Sequence, residues 1–295
     1  MGFRCSDALI VADHCCQAIV TMPPLRLDFS ESRAKVDRAS HHLDSLQREA
    51  QRVLKQTRPY TPHAGEVDQK TGWCEITLMR EEVPERLHLA AIAGDVHHNL
   101  RSALDYIITA LAIASQTTLT TRHQFPIFED SRDYRTKVAV GKQPKIGGSL
   151  SGIKHGLVEI ERFQPYNHQS DPKADPLAHL NRFSNADKHR QIGTFGAMPS
   201  EGLMNVTTDN GSPVIDSWHP ANGPTWEADR DPMLARLRFA KPYPRKITMH
   251  VEMSIRPLFA IPPRRQETKW MAHDLRFLKG IRNHVRMVVE VFEQL

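Results

Sequence analysis

The segment from Pro84 to Ser115 constrains the fold of this chain more than any other. Leu89, Ile92, Leu100, Leu104, Ile107 and Leu111 recur at helical spacing, and Pro84 suits the first turn of a helix. These residues form its packing face. Across it runs a polar motif, Gly94-Asp95-Val96-His97-His98-Asn99-Leu100-Arg101-Ser102-Ala103-Leu104-Asp105. At about 100° per residue, Asp95, His98, Asn99, Ser102, Asp105 and Tyr106 fall within an arc of roughly 120°. The same arc continues through Thr109, Ala112 and Ile113. A solvated face rarely turns apolar in that way, so the stripe points to a partly buried polar cleft.

The other elements follow from period and punctuation. Ser30 to Gln56 reads as a helix, capped by Ser30 with Glu31 in its first turn. Its packing face is Val36, Leu43, Leu46, Ala50 and Val53, and Arg58-Pro59 ends it. Gly65 to Arg80 reads as a β-hairpin turning at Asp68-Gln69-Lys70-Thr71-Gly72. From Gln116 to Gly156 the chain is mostly irregular. It holds Phe125-Pro126-Ile127-Phe128 and a loop, Gly141 to Gly156, made basic by Lys142, Lys145 and Lys154. That loop lacks the Gly-Lys-Ser/Thr ending of a phosphate-binding loop. Asp175 caps a helix that starts at Pro176 and reaches about Ile192. Strand-like runs follow at Leu203–Thr207, Pro213–Trp218, Leu234–Phe239 and Ile247–Ile255. In the last, Ile247, Met249, Val251, Met253 and Ile255 share one side.

Arg264 to Leu295 reads as a final helix with Trp270, Leu278, Ile281, Val285, Val288 and Phe292 on its core stripe. Lys269, His273, Arg276, Lys279, Asn283 and Arg286 lie off that stripe. They read first as a solvated face and second as a track for phosphates. The expected class is α+β: a bundle of long helices, an antiparallel sheet in the C-terminal half and a short β-hairpin near residue 70. Residues 1–28 are expected to form a tail. Residues 29–295 are expected to form a single domain, with a helical core over 30–192 and 264–295 and a β-rich segment over 193–262.

With 295 residues, 25% of them charged and a formal net charge of +5, the chain can bury a substantial core and can meet a polyanion. No run of about eighteen apolar residues supplies a membrane span. Asp7, Asp13 and His14 break the apolar stretch of Met1 to Met22, which therefore does not read as a signal peptide. The expectation is a cytoplasmic protein without membrane contact. Cys5, Cys15, Cys16 and Cys74 fit neither a zinc spacing nor a disulfide framework. No cofactor and no bound metal are expected.

Two constellations could carry chemistry. Asp95 and His98, three apart on a helix, can meet each other or one metal ion, although a single helix supplies only one copy of that spacing. Asn181-Arg182-Phe183-Ser184-Asn185-Ala186-Asp187-Lys188-His189-Arg190 puts Arg182 and His189 two turns apart on one face, with His179 and Ala186. A guanidinium there neutralises phosphoryl oxygens and an imidazole moves a proton. The catalytic candidates are thus Arg182, His189, Asp95, His98 and Asp105. Asn99, Arg101, Asn185, Lys188 and Arg190 are the candidates for substrate binding. The competing reading makes the stripe a structural hydrogen-bond network and Lys188-His189-Arg190 a cationic helix end.

The motifs Gly94-Asp95-x-x-His98-Asn99-Leu100-Arg101-Ser102-Ala103-Leu104-Asp105, Phe125-Pro126-Ile127 and Asn185-x-Asp187-Lys188-His189-Arg190 together resemble a group of bacterial proteins without an assigned activity. That resemblance implies that the motifs form one site. Arg182 and His189, with six residues between them, also resemble the Arg…His hallmark of the HEPN superfamily. Many of its members are helical, metal-independent ribonucleases. The likeness implies RNA or a nucleotide as partner, Arg182 as the phosphate-binding group and His189 as the acid–base group.

Overall fold

The computed structural model describes residues 27–81, 86–140, 143–167, 171–188, 194–218, 233–261 and 271–295. The expected tail over 1–28 lies almost wholly outside them, as do Pro84, Lys269, Trp270, His189 and Arg190. In chain order the elements are α1 (Ser30–Thr57), β1 (Tyr60–Ala64), β2 (Trp73–Arg80), α2 (Arg86–Ala114), α3 (Ser131–Lys137), β3 (Ala139–Val140), β4 (Gln143–Pro144), α4 (Leu157–Arg162), α5 (Pro176–Lys188), β5 (Thr194–Thr208), β6 (Val214–Trp218), β7 (Met233–Phe239), β8 (Ile247–Ile261), β9 (Met271–Asp274) and α6 (Leu275–Phe292). This is an α+β fold with antiparallel sheets.

α2 is the central helix. Leu89, Ala93, Val96, Leu100, Ala103, Leu104, Ile107, Ile108 and Leu111 are all buried, which covers more than one face. It packs against α1, α5, α6 and β5. α1 buries Val36, Ala39, Leu43, Leu46, Ala50 and Val53, the expected stripe with one alanine added. Its start differs from the expectation. Ser30 gives no side-chain cap, and instead the Ser30 N–H donates to the Asp28 carboxylate at 2.9 Å. Arg58 closes the helix in the left-handed region at φ 43°, ahead of Pro59. At α5 the expected cap holds: Leu177 N–H donates to Asp175 at 2.7 Å.

Apart from the short β3–β4 pair, the described strands form two facing sheets. One has the order β1-β2-β7-β6 and the other β5-β8-β9, antiparallel throughout. Cys74, Ile76, Ala235, Leu237 and Phe239 of the first face Met204, Val206, Ile247 and Met249 of the second. Further along, Tyr60, Leu78 and Ala197 meet Met253 and Ile255, and the Tyr60 hydroxyl donates to the Ala197 carbonyl. The expected alternation of β8 is therefore the packing face of a sandwich. β5 and β8 extend beyond it, and Phe195 and Phe259 at their far ends join the helical core. This two-stranded ribbon ties the sandwich to the bundle. A register shift between Pro199 and Gly202 interrupts its ladder.

Three expectations about elements are corrected. β1 begins at Tyr60, before the hairpin expected from Gly65, and it tolerates Pro62 because it lies at a sheet edge. The stretch expected to be irregular contains α3, whose N-terminus is capped by Asp130 through Arg132 N–H and Asp133 N–H. The last helix starts at Leu275, where Asp274 caps it by accepting from Phe277 N–H at 2.9 Å. His273 precedes that helix on β9 and is buried there, so it belongs to no basic helix face.

Candidate functional site

The polar stripe divides along α2 into an exposed end and a buried end. Asp95 and His98 are exposed. Asn99 is buried and turns its amide back to the Asp95 carbonyl at 2.8 Å. One turn on, Arg101 and Asp105 form an ion pair of 3.0 Å, with their side chains 10% and 27% exposed. That pair grips the Phe125-Pro126-Ile127-Phe128 segment. Phe125 N–H donates to Asp105 Oδ1 at 2.9 Å, and Arg101 Nη2 donates to the Phe125 carbonyl at 2.6 Å. The two side chains together read both backbone groups of one residue, closing a ring of hydrogen bonds. Phe125 is thereby held with its side chain fully buried.

A third residue completes the grip from the other side. Gln164, 2% exposed, accepts from Phe128 N–H at 3.0 Å and donates to the Pro126 and Ile160 carbonyls, both at 2.9 Å. The segment joins no sheet, so its buried backbone groups need side-chain partners. Arg101, Asp105 and Gln164 supply them.

A second assembly joins α2 to α5, β9 and α6. His97, Phe183, His273 and Phe277 form a column of rings. His97 stacks on Phe183 with centroids 4.6 Å apart, Phe183 on His273 at 4.4 Å, and His273 tilts over Phe277 at 4.1 Å. His179 joins from the side through a 2.8 Å hydrogen bond between its Nδ1 and His273 Nε2. His97 Nδ1 lies 2.7 Å from the Ala93 carbonyl, so that nitrogen carries the proton and donates. Its Nε2 is buried and has no hydrogen-bond partner among the described residues.

Electrostatics keep these rings neutral. Burial pushes the His97 imidazole down to about 4, against the Ala93 bond, which favours the charged form. Burial lowers His273 as well, and His179, His97 and Arg182 add to it. Burial also lowers His179, helped by Arg182 and opposed by Asp175 and Asp171. Two neutral imidazoles suit the His179–His273 bond, since one ring must donate and the other accept.

The two sequence motifs thus meet only in part. α2 packs on α5 through His97 and Phe183, and the field of Arg182 reaches His179 and His273. Asp95 and His98 stand on the exposed part of α2, and Asp105 is committed to Phe125. Asn185, half-buried, donates to Asn181 at 3.3 Å. His189 and Arg190 lie outside the described residues, and so does the side chain of Lys188. Among the described residues, no group of three or more His, Cys, Asp or Glu side chains stands close enough to hold a metal ion. No described helix is long and apolar enough to cross a membrane.

His97, His273 and Gln164 are the residues that sequence reasoning misses. His97 shares a helical row with Ala93, Leu100 and Leu104, so its burial is legible as an interruption of that row. His273 is expected on a helix that in fact begins two residues later. Gln164 carries no local signal. Compared with protein-family models, curated proteins and solved structures, the chain matches none.

Proposed function

We propose that this chain is a non-catalytic binding or regulatory module whose polar stripe is the hydrogen-bond network of its own scaffold. The observation that carries this reading is the closed ring formed by Arg101, Asp105 and both backbone groups of Phe125. A carboxylate oxygen that takes both a guanidinium and a backbone N–H is tied to the scaffold, and the bonds it makes hold a neighbouring segment in place. Asn99 likewise serves its own helix, its amide donating to the Asp95 carbonyl. The test pairs stability with activity. Asp105→Ala should lower the melting temperature strongly, and purified protein should leave single-stranded RNA intact with or without a chelator. RNA cleavage by the wild-type chain that Asp105→Ala abolishes while its melting temperature stays unchanged would overturn the reading.

A second reading, RNA or another phosphodiester as substrate in the manner of a HEPN-like ribonuclease, is favoured by one observation. Arg182 acts electrostatically on the hydrogen-bonded pair His179–His273. A guanidinium can hold a phosphate while a neutral imidazole beside it accepts a proton from a ribose hydroxyl. This reading requires cleavage that is lost in Arg182→Ala and in His189→Ala while both variants remain folded by circular dichroism.

A further inference from the structure

α1 and α6 run side by side and meet through a row of polar pairs. At one end Arg33 pairs with Glu293, its Nε 3.0 Å from Oε1, and at the other Lys279 Nζ donates to Gln47 at 2.7 Å. The middle of the row is different. Arg282 Nη1 lies 3.0 Å and Arg286 Nη2 3.3 Å from one hydroxyl, that of Ser40, which itself donates to the Val36 carbonyl at 2.9 Å. Two guanidinium groups one turn apart converge on a single neutral oxygen. Neither forms an ion pair among the described residues, and Arg282 Nε is buried with no hydrogen-bond partner among them. Burial and the neighbouring Arg286 charge both lower the Arg282 pKa, with Asp44 opposing more weakly.

Like charges at this spacing repel, and a buried orphan donor costs free energy, so the bare arrangement is unfavourable as it stands. A tetrahedral oxyanion at the guanidinium ends offsets the repulsion between the two charges. Guanidinium forks match phosphoryl oxygens two at a time, and each of these arginines uses one of its five N–H donors on Ser40. Ser40, Lys279, Arg282 and Arg286 are half-buried, so solvent reaches the row while its dielectric stays below that of water. We propose that Arg282 and Arg286, anchored on the Ser40 hydroxyl and with Lys279 one turn away, form a site for a phosphoryl group carried by a small molecule. The site goes beyond the scaffold reading of the stripe. It shares no residue with the ring around Phe125, and neither needs the other.

Thermal melts and ³¹P titrations test it, with inorganic phosphate, adenosine 5′-monophosphate and adenosine as probes at constant ionic strength. Phosphate at several times its dissociation constant should raise the melting temperature by about 3 °C over chloride. Adenosine should do nothing. A larger shift with the mononucleotide than with phosphate assigns the phosphoryl group to a nucleotide, and an equal shift assigns it to free phosphate. Arg282→Met/Arg286→Met should lose the phosphate shift, Asp44→Asn should enlarge it, and Arg48→Met, exposed on α1, should keep it. If the double variant does not fold, Arg282→Gln alone should weaken phosphate about tenfold by ³¹P line broadening. Equal shifts in phosphate and chloride, or a phosphate shift that survives loss of the arginines, would overturn the site. Neither result bears on Asp105.

Discussion

The ring around Phe125 makes a prediction that can be worked from distances. Asp105→Ala removes the acceptor of the 2.9 Å bond from Phe125 N–H and the partner of the 3.0 Å pair with Arg101. Bonds to a charged group contribute about 1.5–3 kcal/mol each before water takes their place. The Asp105 side chain is 27% exposed, so water reaches the vacated space and recovers part of that loss for the Phe125 N–H. Arg101 recovers less. Its side chain is only 10% exposed, and its Nη1 is already buried with no hydrogen-bond partner among the described residues. The expected net cost is about 3 kcal/mol, which corresponds to a fall in melting temperature of roughly 6–12 °C. Asp105→Asn keeps an acceptor and should cost about half as much. Arg101→Met/Asp105→Ala should be milder than the sum of its single changes by about 1–2 kcal/mol, because removing both partners leaves no stranded charge. Differential scanning calorimetry of the wild type and these variants, with Arg101→Met alone to complete the cycle, reads all of this. A fall of less than about 2 °C for Asp105→Ala, or strict additivity in the cycle, would refute the ring as a structural device.

The other predictions concern the remaining supports of the scaffold. Stability should decline as pH falls from about 6.5 to about 4, because unfolding frees His97 to take up a proton that the folded state refuses. Each pH unit in that window costs up to about 1.4 kcal/mol per histidine, and almost none of this loss occurs above about pH 7. His97→Phe, which keeps the stack on Phe183, should flatten the acid side of a plot of melting temperature against pH; an unchanged slope would remove His97 from the account. Gln164→Leu strands Phe128 N–H and the Pro126 carbonyl and should cost about 2–3 kcal/mol in chemical denaturation. Gly156→Ala should destabilise by about 2 kcal/mol or more. Gly156 has φ +69°, and an added Cβ would stand 2.9 Å from the Phe292 ring. A Gly156→Ala chain as stable as the wild type would show that α4 begins differently.

The parts of the fold that are legible are those in which one element decides its own pattern. The stripe of α1 and the alternation of β8 from Ile247 to Ile255 are each set by a single buried face, and period alone reveals them. β1 is not legible from period, because its five residues include Pro62, which a strand accommodates at a sheet edge. β9 merges with the last helix when the pattern is read alone, although Asp274 ahead of an apolar periodic run carries the signature of a cap. In the candidate site, the stripe is visible but its division is not. Whether Asp105 faces solvent or Phe125 depends on a segment twenty residues away in the chain. Gln164 is out of reach for the same reason, since its partners at Pro126 and Phe128 lie 38 and 36 residues away. Local sequence records which residues are polar; the fold decides whether they serve backbone or solvent.

The pairing of α1 with α6 has a consequence for the order in which the molecule can assemble. Arg33 and Glu293 stand 260 positions apart, so the first and last described helices are neighbours that meet last during synthesis. While the ribosome is still extending the chain, α1 and α2 lack the partner that covers Leu43, Leu104 and Leu111 with Ile281, Val285, Val288 and Phe292. Closing so long a loop is slow, and the nascent bundle is exposed to aggregation throughout that wait. Ribosome-bound chains arrested before Leu275 should therefore recruit holdase chaperones, and full-length chains extended by a linker that clears the exit tunnel beyond Phe292 should release them.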